Sequence, residues 1–569
     1  MLIGGAVYGF MWWQRQPKPL PKVDLASVQE GLPRQVATLL SKDGALRGLR
    51  PIPSAPVFVV LRKNGRKLAQ GWFEGSDAQQ AIFDGVAQLL RDRPSLAGEV
   101  DVVELCLPHS YKGERLKAKR DVLGNTHRGV RGVWLRHGTR EERTCPTEMI
   151  ARNARFEDVE GAFRKQAGLS RDEYVAQAEA QSFDAHQLLV RVQKDPAVVP
   201  MFRGNTVIPL ATVNQKSTDA LAAGLTQWIT TQVQPDGRMV YMALPSKGTE
   251  STDNNMIRQF MATVCLVRLA NAKPEDAHLR ELAKRNLTYN LDHFFVQEGE
   301  LGLIKFGDAR LGAMALAALA IVEAPFRSEF ARYETALRKT TEHMQKPDGS
   351  FYSFFGSESG DNQNFYPGET LLLWATLYQE SRDEALWKRI DDAFRYYRTW
   401  HLENRNPAFI PWHTQAYVKL LKVRDYPEMR DFVFKMNDWL LGMQQWGTAD
   451  YPDQPGRFYD PDRPQFGQPH ASSTAVYLEG LIDAYQLTVK EKDEARRKSY
   501  RDAILGGLRA TMQIQFMDGV DMFYIEQRDT VYGGLRTTEY DNRIRVDNVQ
   551  HALMGIQRIV RIFGAEGAW

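Results

Sequence analysis

Four carboxylates of this chain either precede a strongly apolar segment or lie in a polar loop that leads into such a segment. Asp253 precedes MIRQFMATVCLVRLA, Glu369 precedes TLLLWATLY, and Asp541 precedes RIRVDNVQHALMGI. Asp361 lies in GSESGDNQNFYPGE, a segment too polar for a protein core. Two carboxylates on either side of a glycosidic bond can act as its general acid and its base or nucleophile. These four residues are therefore the candidate catalytic residues.

Aromatic and imidazole side chains accompany these acids. Aromatic faces suit the stacking of sugar rings, and a few polar groups then fix the orientation of the ligand. The candidate substrate-binding residues are Tyr241, Phe355, Tyr366, Trp412, His413, His470 and Tyr540. A lyase or an epimerase would instead require a base and a second proton donor. The histidines and tyrosines His413, His470, Tyr366 and Tyr540 are suited to these two roles.

Most of these residues belong to a repeat of about six helix pairs that begins near Ser217. Each pair has an amphipathic helix, a turn rich in Gly, Asp and aromatic residues, and a more apolar second helix. The first helices are expected near 217–232, 277–294, 328–345, 383–400, 426–444 and 493–514, and the second helices near Ser251, Asp308, Tyr366, Pro411, His470 and Ile544. Because one repeat cannot bury its apolar face alone, the pattern predicts a closed α/α ring.

The position of the helices in this ring follows from their polarity. The nearly uniform aliphatic helices are expected on the inside and the amphipathic helices on the outside. The polar starts of the inner helices then meet at one end, around a single funnel. Asp, Ser and Thr are ordinary helix caps, but His, Trp, Tyr and Glu at these starts exceed what capping requires. The acids of the recurring Pro-Asp-Gly turns, at 235–237 and 347–349, are instead expected to stabilise the turns.

The helix pairs resemble the (α/α)6 toroids, or six-hairpin rings, of glycoside hydrolases, polysaccharide lyases and sugar epimerases. The resemblance covers residues 201–569. It implies a mainly α-helical domain and a carbohydrate-active enzyme that acts on a polysaccharide or glycoconjugate. The spacing of Gln, Asp-Gly and an aromatic residue also resembles terpenoid-cyclase and prenyltransferase rings. However, the chain lacks a DxDD or DDxxD cluster, and no cysteine near a funnel start could bind zinc, so no metal or cofactor is expected.

An α+β domain is predicted before the ring, over residues 24–200. Asn64-Gly65 between two apolar runs indicates a hairpin, and a second hairpin is expected to turn at His137-Gly138. The order of FVVLRKNGRKLAQGW, VDVVELCLP, RGVRGVWLRHGTREERTCPTEM and FRKQAGLSRDEY resembles the AMMECR domain family. Where that family has Arg-Gly-Cys, this chain has Gln70-Gly71-Trp72. The resemblance therefore implies a binding or structural module without chemistry at that cysteine.

The predicted α+β domain contains the most basic stretch of the chain. Residues 112–143 carry ten Lys or Arg against four acids, which suits an anionic polymer or lipid headgroups. The stretch lacks the interleaved aromatics of a single-strand nucleic-acid groove. The net charge of the whole chain is only +3, so no global field attracts nucleic acid, and no nucleic-acid partner is expected.

Residues 1–23 are predicted to form a membrane anchor and a linker. The segment 1–13, MLIGGAVYGFMWW, has no charged side chain, and the proline-rich PKPLPK follows. A full helical span needs about 20 apolar residues, so we interpret the segment as the end of a longer span. Trp12 and Trp13 beside Arg15 suit a membrane interface. The expected location is the cell envelope or the periplasm. Both orientations remain open, since the basic residues after the segment favour a cytoplasmic body.

Two interpretations of function remain open. The first is a membrane-tethered carbohydrate-active enzyme, and the second is a non-catalytic glycan-binding or scaffold protein. An enzyme should place two acids facing one another across the funnel, with the pKa of at least one raised. A scaffold should have isolated, solvated carboxylates or a filled funnel. The three cysteines, Cys106, Cys145 and Cys265, are too few and too dispersed to support a disulfide scaffold.

Overall fold

The computed structural model describes residues 56–76, 78–91, 95–96, 99–117, 124–193, 196–447 and 449–569. The predicted anchor and linker at 1–23 lie outside these ranges, as does the part of the predicted α+β domain before Pro56. Among the described residues, no helix combines the length and the apolar character needed to cross a membrane.

One antiparallel sheet organises the first described part of the chain. Its elements are β1 (Val57–Lys63), β2 (Arg66–Phe73), α1 (Ala78–Arg91), β3 (Val102–Lys117), β4 (Arg131–His137), β5 (Arg140–Thr144), α2 (Pro146–Ala151), α3 (Phe156–Ala167), α4 (Arg171–Gln177), β6 (Glu179–Arg191) and β7 (Ala197–Met201). The strands follow the order β2-β1-β3-β6-β4-β5, and β7 pairs with β6. Both predicted hairpins, β1–β2 and β4–β5, are confirmed. The resemblance to AMMECR proteins stays a prediction.

Twelve long helices dominate the rest of the described chain. The elements are α5 (Gln215–Thr231), β8 (Met242–Leu244), β9 (Thr249–Glu250), α6 (Met256–Ala272), α7 (Ala277–Phe294), β10 (Phe295–Glu298), β11 (Leu301–Phe306), β12 (Asp308–Ala309), α8 (Leu311–Glu323), α9 (Ala331–His343), α10 (Tyr366–Ser381), α11 (Glu384–Glu403), α12 (Ile410–Leu421), α13 (Pro427–Leu441), α14 (Ala471–Glu491), α15 (Glu494–Ile514), α16 (Arg528–Val531), β13 (Ile544–Arg545) and α17 (Val546–Glu566). The short strands form two small sheets, β10-β11-β12 and β13-β8-β9, in the connections between helices.

Six of these helices form a closed inner ring. Helices α6, α8, α10, α12, α14 and α17 each contact the next in this order, and α17 contacts α6. The outer helices α5, α7, α9, α11, α13 and α15 pack around them. The (α/α)6 toroid predicted from the repeat is therefore the architecture of this part of the chain.

The contrast between inner and outer helices follows from their sequences. In α8 every residue from Leu311 to Val322 is buried, and small alanines let neighbouring helices approach closely. In the outer helix α9 the buried residues are confined to one face, around Ala336, Leu337 and Thr340. Each fully buried Leu or Ile of an inner helix contributes about 1.5–3 kcal/mol to stability.

The Pro-Asp-Gly turns have the structural role that their sequence predicts. Asp236 accepts a hydrogen bond from the backbone N–H of Arg238 at 2.9 Å, and Asp348 accepts one from Ser350 at 3.0 Å. The glycines that follow have φ of 98° at Gly237 and 90° at Gly349. Side chains rarely tolerate such φ values. These two acids thus hold the connections that lead from outer to inner helices.

Buried polar contacts join the sheet domain to the ring. Nε of Arg203, which follows β7, donates to Oδ2 of Asp453 at 2.7 Å, and both side chains are almost fully buried. Nδ2 of Asn542 donates to the backbone carbonyl of Ile150 at 2.9 Å. Nδ2 of Asn153 donates to Oδ1 of Asp541 at 3.1 Å. The loop before α17 is therefore bonded in part to the sheet domain.

Candidate active site

All six inner helices contribute residues to one cavity of about 480 Å³. Most contributors lie at or near the starts of these helices. Five of the six polar starts predicted from the sequence supply lining residues, whereas the sixth, 538–542, supplies none. The polar lining residues are Asn255, Arg258, Arg310, Asn362, Tyr366, Glu369, Gln468, His470, Ser472, Ser473, Tyr477, Arg545, Asp547, Gln550 and His551. Apolar and aromatic residues, including Met261, Phe365, Trp412 and Phe466, complete the walls.

Glu369 is the carboxyl group in this lining that has no ion-pair partner among the described residues. It lies in the first turn of α10, is 2% exposed, and its Oε2 has no hydrogen-bond partner among the described residues. Burial raises the pKa of Glu369 to about 8, and Arg258 offsets this only in part. An apolar site disfavours the charged form of an acid. At neutral pH Glu369 therefore keeps its proton for most of the time.

His551 lines the cavity from α17. Its Nδ1 donates to Oε1 of Glu479 on α14 at 2.6 Å, and the Glu479 side chain is 1% exposed. A carboxylate on one ring nitrogen fixes the tautomer and leaves the lone pair of the other nitrogen as a base. The Trp412 ring meets the His551 ring edge-on, with 5.6 Å between centroids. His551 is thus an oriented imidazole whose Nε2 is available to a ligand.

Glu369 and His551 lie on opposite sides of the inner ring. Their helices, α10 and α17, are separated by α12 and α14 in one direction and by α8 and α6 in the other. Both side chains line the same cavity. The geometry therefore places a protonated acid and an oriented imidazole on opposite sides of one cavity.

His470 caps the start of α14 in this cavity. Its Nδ1 accepts the backbone N–H of Ser472 at 3.1 Å. Burial lowers the pKa of His470 to about 4, although Asp547 favours the charged form. The ring is thus neutral at neutral pH, and because Nδ1 accepts, its proton lies on Nε2. His470 is suited to donate a hydrogen bond to a hydroxyl of a ligand.

Asp547, on the first turn of α17, is held by two arginines. Oδ2 of Asp547 accepts from Nε of Arg258 at 2.9 Å, and Oδ1 accepts from Nε of Arg545 at 2.6 Å. Burial alone would raise the pKa of Asp547, but Arg545 and Arg258 hold it well below the usual range. A carboxylate so tightly paired is a weak base. Asp547 is instead suited to hold the two guanidinium groups in position.

Four residues predicted from the sequence line the cavity: Glu369, Tyr366, Trp412 and His470. Tyr366 and Trp412 are almost fully buried. Burial raises the pKa of Tyr366 to about 12, so its phenol remains protonated. The structure brings these four together from three inner helices, α10, α12 and α14.

The other three candidate acids lie outside the cavity lining. Asp253 and Asp361 are exposed, and Ser251 and Ser359 donate hydroxyl hydrogen bonds to them. Asp541 is buried at the contact with the sheet domain and is paired with Arg543. Burial tends to raise the pKa of Asp541, but Arg543 and Asn153 hold it below its usual value.

The remaining candidate binding residues also lie outside the lining. His413 is fully buried, its ring stacks on Phe409, and its Nδ1 bonds to the Phe409 carbonyl at 2.8 Å. Burial lowers the pKa of His413 to about 3, as expected of a core histidine. Tyr540 packs near Arg203, and the Phe355 ring lies beside His343. Tyr241 stands behind the lining, where its hydroxyl accepts from Arg258 at 2.8 Å.

Several cavity residues were not predicted as site residues. Asp547, Gln550 and His551 share one face of α17 because their spacing is i, i+3 and i+4. That spacing in RVDNVQHAL was the available signal. The sequence around Glu479 does not predict its role, because that role depends on a contact between two inner helices. Among the described residues, no cluster of three or more His, Cys, Asp or Glu could hold a metal ion.

No protein-family model matches this chain, and no curated protein matches it. Among solved structures, an inactive variant of α-1,6-mannanase GH76A of Salegentibacter sp. HEL1_6 is 10% identical, covering 61% of this chain and 99% of that one, with a TM-score of 0.44. D-mannose isomerase is 14% identical, with coverages of 61% and 98% and a TM-score of 0.47. An unsaturated glucuronyl hydrolase specific for heparin is 13% identical, with coverages of 62% and 97% and a TM-score of 0.42. The chemistry of the cavity therefore has to be argued from its own residues.

Proposed function

We propose that this protein is a carbohydrate-active enzyme that transfers protons to and from a sugar bound in the ring cavity. The observation that carries the proposal is the placement of Glu369 and His551 on opposite inner helices of one cavity. Glu369 acts as the general acid, because burial raises its pKa to about 8. His551 acts as the general base, because Glu479 accepts the hydrogen bond from its Nδ1. Acid and base groups with distinct protonation states are the pairing that such chemistry needs.

The cavity walls support a sugar as the ligand. Trp412, Tyr366, Phe365 and Phe466 offer aromatic surface, while His470 and neighbouring serines and amides offer hydrogen bonds to hydroxyls. A volume of about 480 Å³ has room for one or two sugar rings. Because the proposed acid and the proposed base are separate groups, we favour an isomerase, epimerase or lyase type of reaction, in which a proton is removed from a carbon atom.

Glycoside hydrolysis by two carboxylates is supported less well. Among the described lining residues, Asp547 is the only carboxylate besides Glu369. Asp547 already accepts hydrogen bonds from Arg258 and Arg545, which leaves it little basicity toward water. The membrane tether at 1–23 and a location in the cell envelope remain proposals from the sequence.

The test is exchange of carbon-bound hydrogen in D2O. The protein would be incubated with neutral hexoses, N-acetylhexosamines and uronate oligosaccharides, and deuterium would be located in the sugars by NMR. We expect one sugar class either to gain deuterium at one carbon or to give an unsaturated product, and we expect both Glu369→Gln and His551→Gln to lose this activity. Hydrolysis without deuterium at carbon would instead favour a hydrolase. Binding without any reaction would favour the non-catalytic alternative.

A further inference from the structure

Arg310 is the cavity arginine that lacks a close carboxylate among the described residues. It caps α8 and lines the cavity beside Tyr366, whose hydroxyl its guanidinium approaches. Its ion pair with Asp308 is 4.0 Å long, and the Asp308 side chain is 70% exposed. Nε of Arg310 is buried and has no hydrogen-bond partner in the described part of the chain. A long ion pair with an exposed acid contributes little to stability. The guanidinium therefore has N–H groups available for a ligand.

The cavity as a whole has an excess of positive charge. Its lining contains three arginines, of which Arg258 and Arg545 share the single carboxylate of Asp547. Glu369 does not restore the balance, because its burial favours the protonated form. A site lined by one sign of charge and walled by apolar groups attracts ligands of the opposite sign. The third arginine, Arg310, has only the distant and exposed Asp308 as an acidic partner among the described residues.

Gln550 gives independent evidence that the cavity binds a polar ligand. It lies on α17 between Asp547 and His551 and is fully buried. Neither its Nε2 nor its Oε1 has a hydrogen-bond partner among the described residues. Buried polar groups are almost always paired in native proteins. Its donor and acceptor are suited to a pair of sugar hydroxyls.

Resting on the proposed function, we infer that the substrate is a uronate: Arg310 binds the sugar carboxylate, Gln550 binds ring hydroxyls, and His551 removes the proton from C5. Guanidinium groups bind carboxylates through two parallel hydrogen bonds, which fixes the orientation of the planar group. The identity of the acidic group follows from the reaction. A carboxylate acidifies the C–H bond next to it, whereas a sugar phosphate would bind Arg310 without activating any C–H bond.

The proposed step balances without an oxidant. The C5–H bond breaks, its proton passes to Nε2 of His551, and its electron pair moves into the bond between C5 and the carboxylate carbon. Arg310 stabilises the charge that grows on the carboxylate oxygens. The Glu369 proton then goes either to C5 from the opposite face, which gives the epimer, or to O4 as the C4–O4 bond breaks, which gives an unsaturated uronate.

Binding by calorimetry and exchange in D2O test the inference with the full-length protein. The probes are oligomers of glucuronate, mannuronate and galacturonate, the matching neutral oligomers, and hexose 6-phosphates. We expect one uronate oligomer to bind and either to gain deuterium at C5, as the epimer, or to be cleaved to an unsaturated uronate. We expect Arg310→Gln to weaken its binding by about 10- to 100-fold, while Arg310→Lys retains part of the affinity. The matched control is Arg332→Gln, because Arg332 is exposed on the outer helix α9, and it should bind like the wild type.

The outcomes separate this inference from the proposed function. Exchange on a neutral oligomer that is unchanged in Arg310→Gln would overturn the uronate assignment and leave the proton-transfer enzyme intact. Arg310-dependent binding of a uronate with neither exchange nor an unsaturated product would support the carboxylate site and overturn the proposed reaction. Preference for hexose 6-phosphates over uronates would overturn the assignment of the carboxylate. No binding of any probe would overturn the inference.

Discussion

A methyl group added to Gly312 on α8 would lie 2.0 Å from Oε2 of Glu369 on α10. The same methyl group would lie 2.7 Å from Cδ1 of Tyr366. Two inner helices thus approach closely enough that only glycine leaves space for the carboxyl group. The position of the proposed acid is set by a residue that has no functional group of its own.

Substitution Gly312→Ala should therefore displace the Glu369 carboxyl group. We expect kcat to fall by about 10²-fold, since misplacement of a reacting group by about 1 Å has effects of this size. Deuterium exchange by the purified variant measures the change. Gly360→Ala is the control, because nothing lies within 4 Å of the added methyl group. Unchanged exchange in Gly312→Ala would contradict the proposed role of Glu369.

The buried Glu369 should also make stability depend on pH. Its pKa is about 8 in the folded protein, whereas the ordinary pKa of a glutamate is 4.5. Between these values the unfolded chain has released the proton that the folded chain still holds, so the free energy of unfolding falls as pH rises. The total loss is on the order of a few kcal/mol.

Glu369→Gln should remove this dependence, because the amide resembles the protonated acid. We expect its melting temperature to rise above that of the wild type as pH increases from 5 to about 8, by scanning calorimetry. Glu358→Gln is the control, since the Glu358 side chain is 83% exposed. Parallel pH profiles for Glu369→Gln and the wild type would show that this carboxyl group is already ionised in the folded state.

The His551–Glu479 pair predicts a catalytic loss without a loss of binding. In Glu479→Gln the amide can no longer hold the imidazole in the same tautomer, so we expect kcat to fall by about 10²- to 10⁴-fold. KM should change little, because Glu479 does not line the cavity. Steady-state kinetics and the NMR signals of the His551 ring test this. Glu491→Gln, on the same helix, should behave like the wild type, and an equal kcat in both variants would contradict the assignment.

The buried Arg203–Asp453 pair should couple the sheet domain to the ring. Asp453→Asn leaves a buried guanidinium without its counter-charge, and we expect a loss of about 3–5 kcal/mol in the free energy of unfolding. Replacing both partners, Arg203→Met with Asp453→Leu, should recover much of that loss. Chemical denaturation measures both.

The exposed pair of Arg238 and Glu250 provides the comparison. Their side chains are 37% and 41% exposed, and Glu250→Gln should change stability by less than about 1 kcal/mol. Equal effects of Asp453→Asn and Glu250→Gln would show that the interface between sheet domain and ring does not depend on the buried pair.

The sequence predicted the ring because helical periodicity and polarity are local properties that survive in the fold. It also predicted Glu369, since an acid in the first turn of an otherwise aliphatic inner helix faces the end of the ring. It could not place Asp541, because the loop before α17 is drawn to Asn153 of the sheet domain. The sequence wrongly predicted His413 as a cavity residue. Which face of α12 lines the cavity depends on packing against Phe409, and this packing is not visible in the sequence. Glu479 depends on a contact between α14 and α17 that no single segment reveals.

The closure of the inner ring by α17 against α6 has a consequence for biosynthesis. Of the six inner helices, α17 is the last to leave the ribosome, yet it carries His551, Gln550 and Asp547. A nascent chain that has made the first five inner helices therefore has an open, apolar seam and lacks these three lining residues. A chaperone that covers this seam until α17 arrives would protect the protein from aggregation. On the proposed function, a chain that ends before α17 lacks the proposed base, His551, and should not catalyse the reaction.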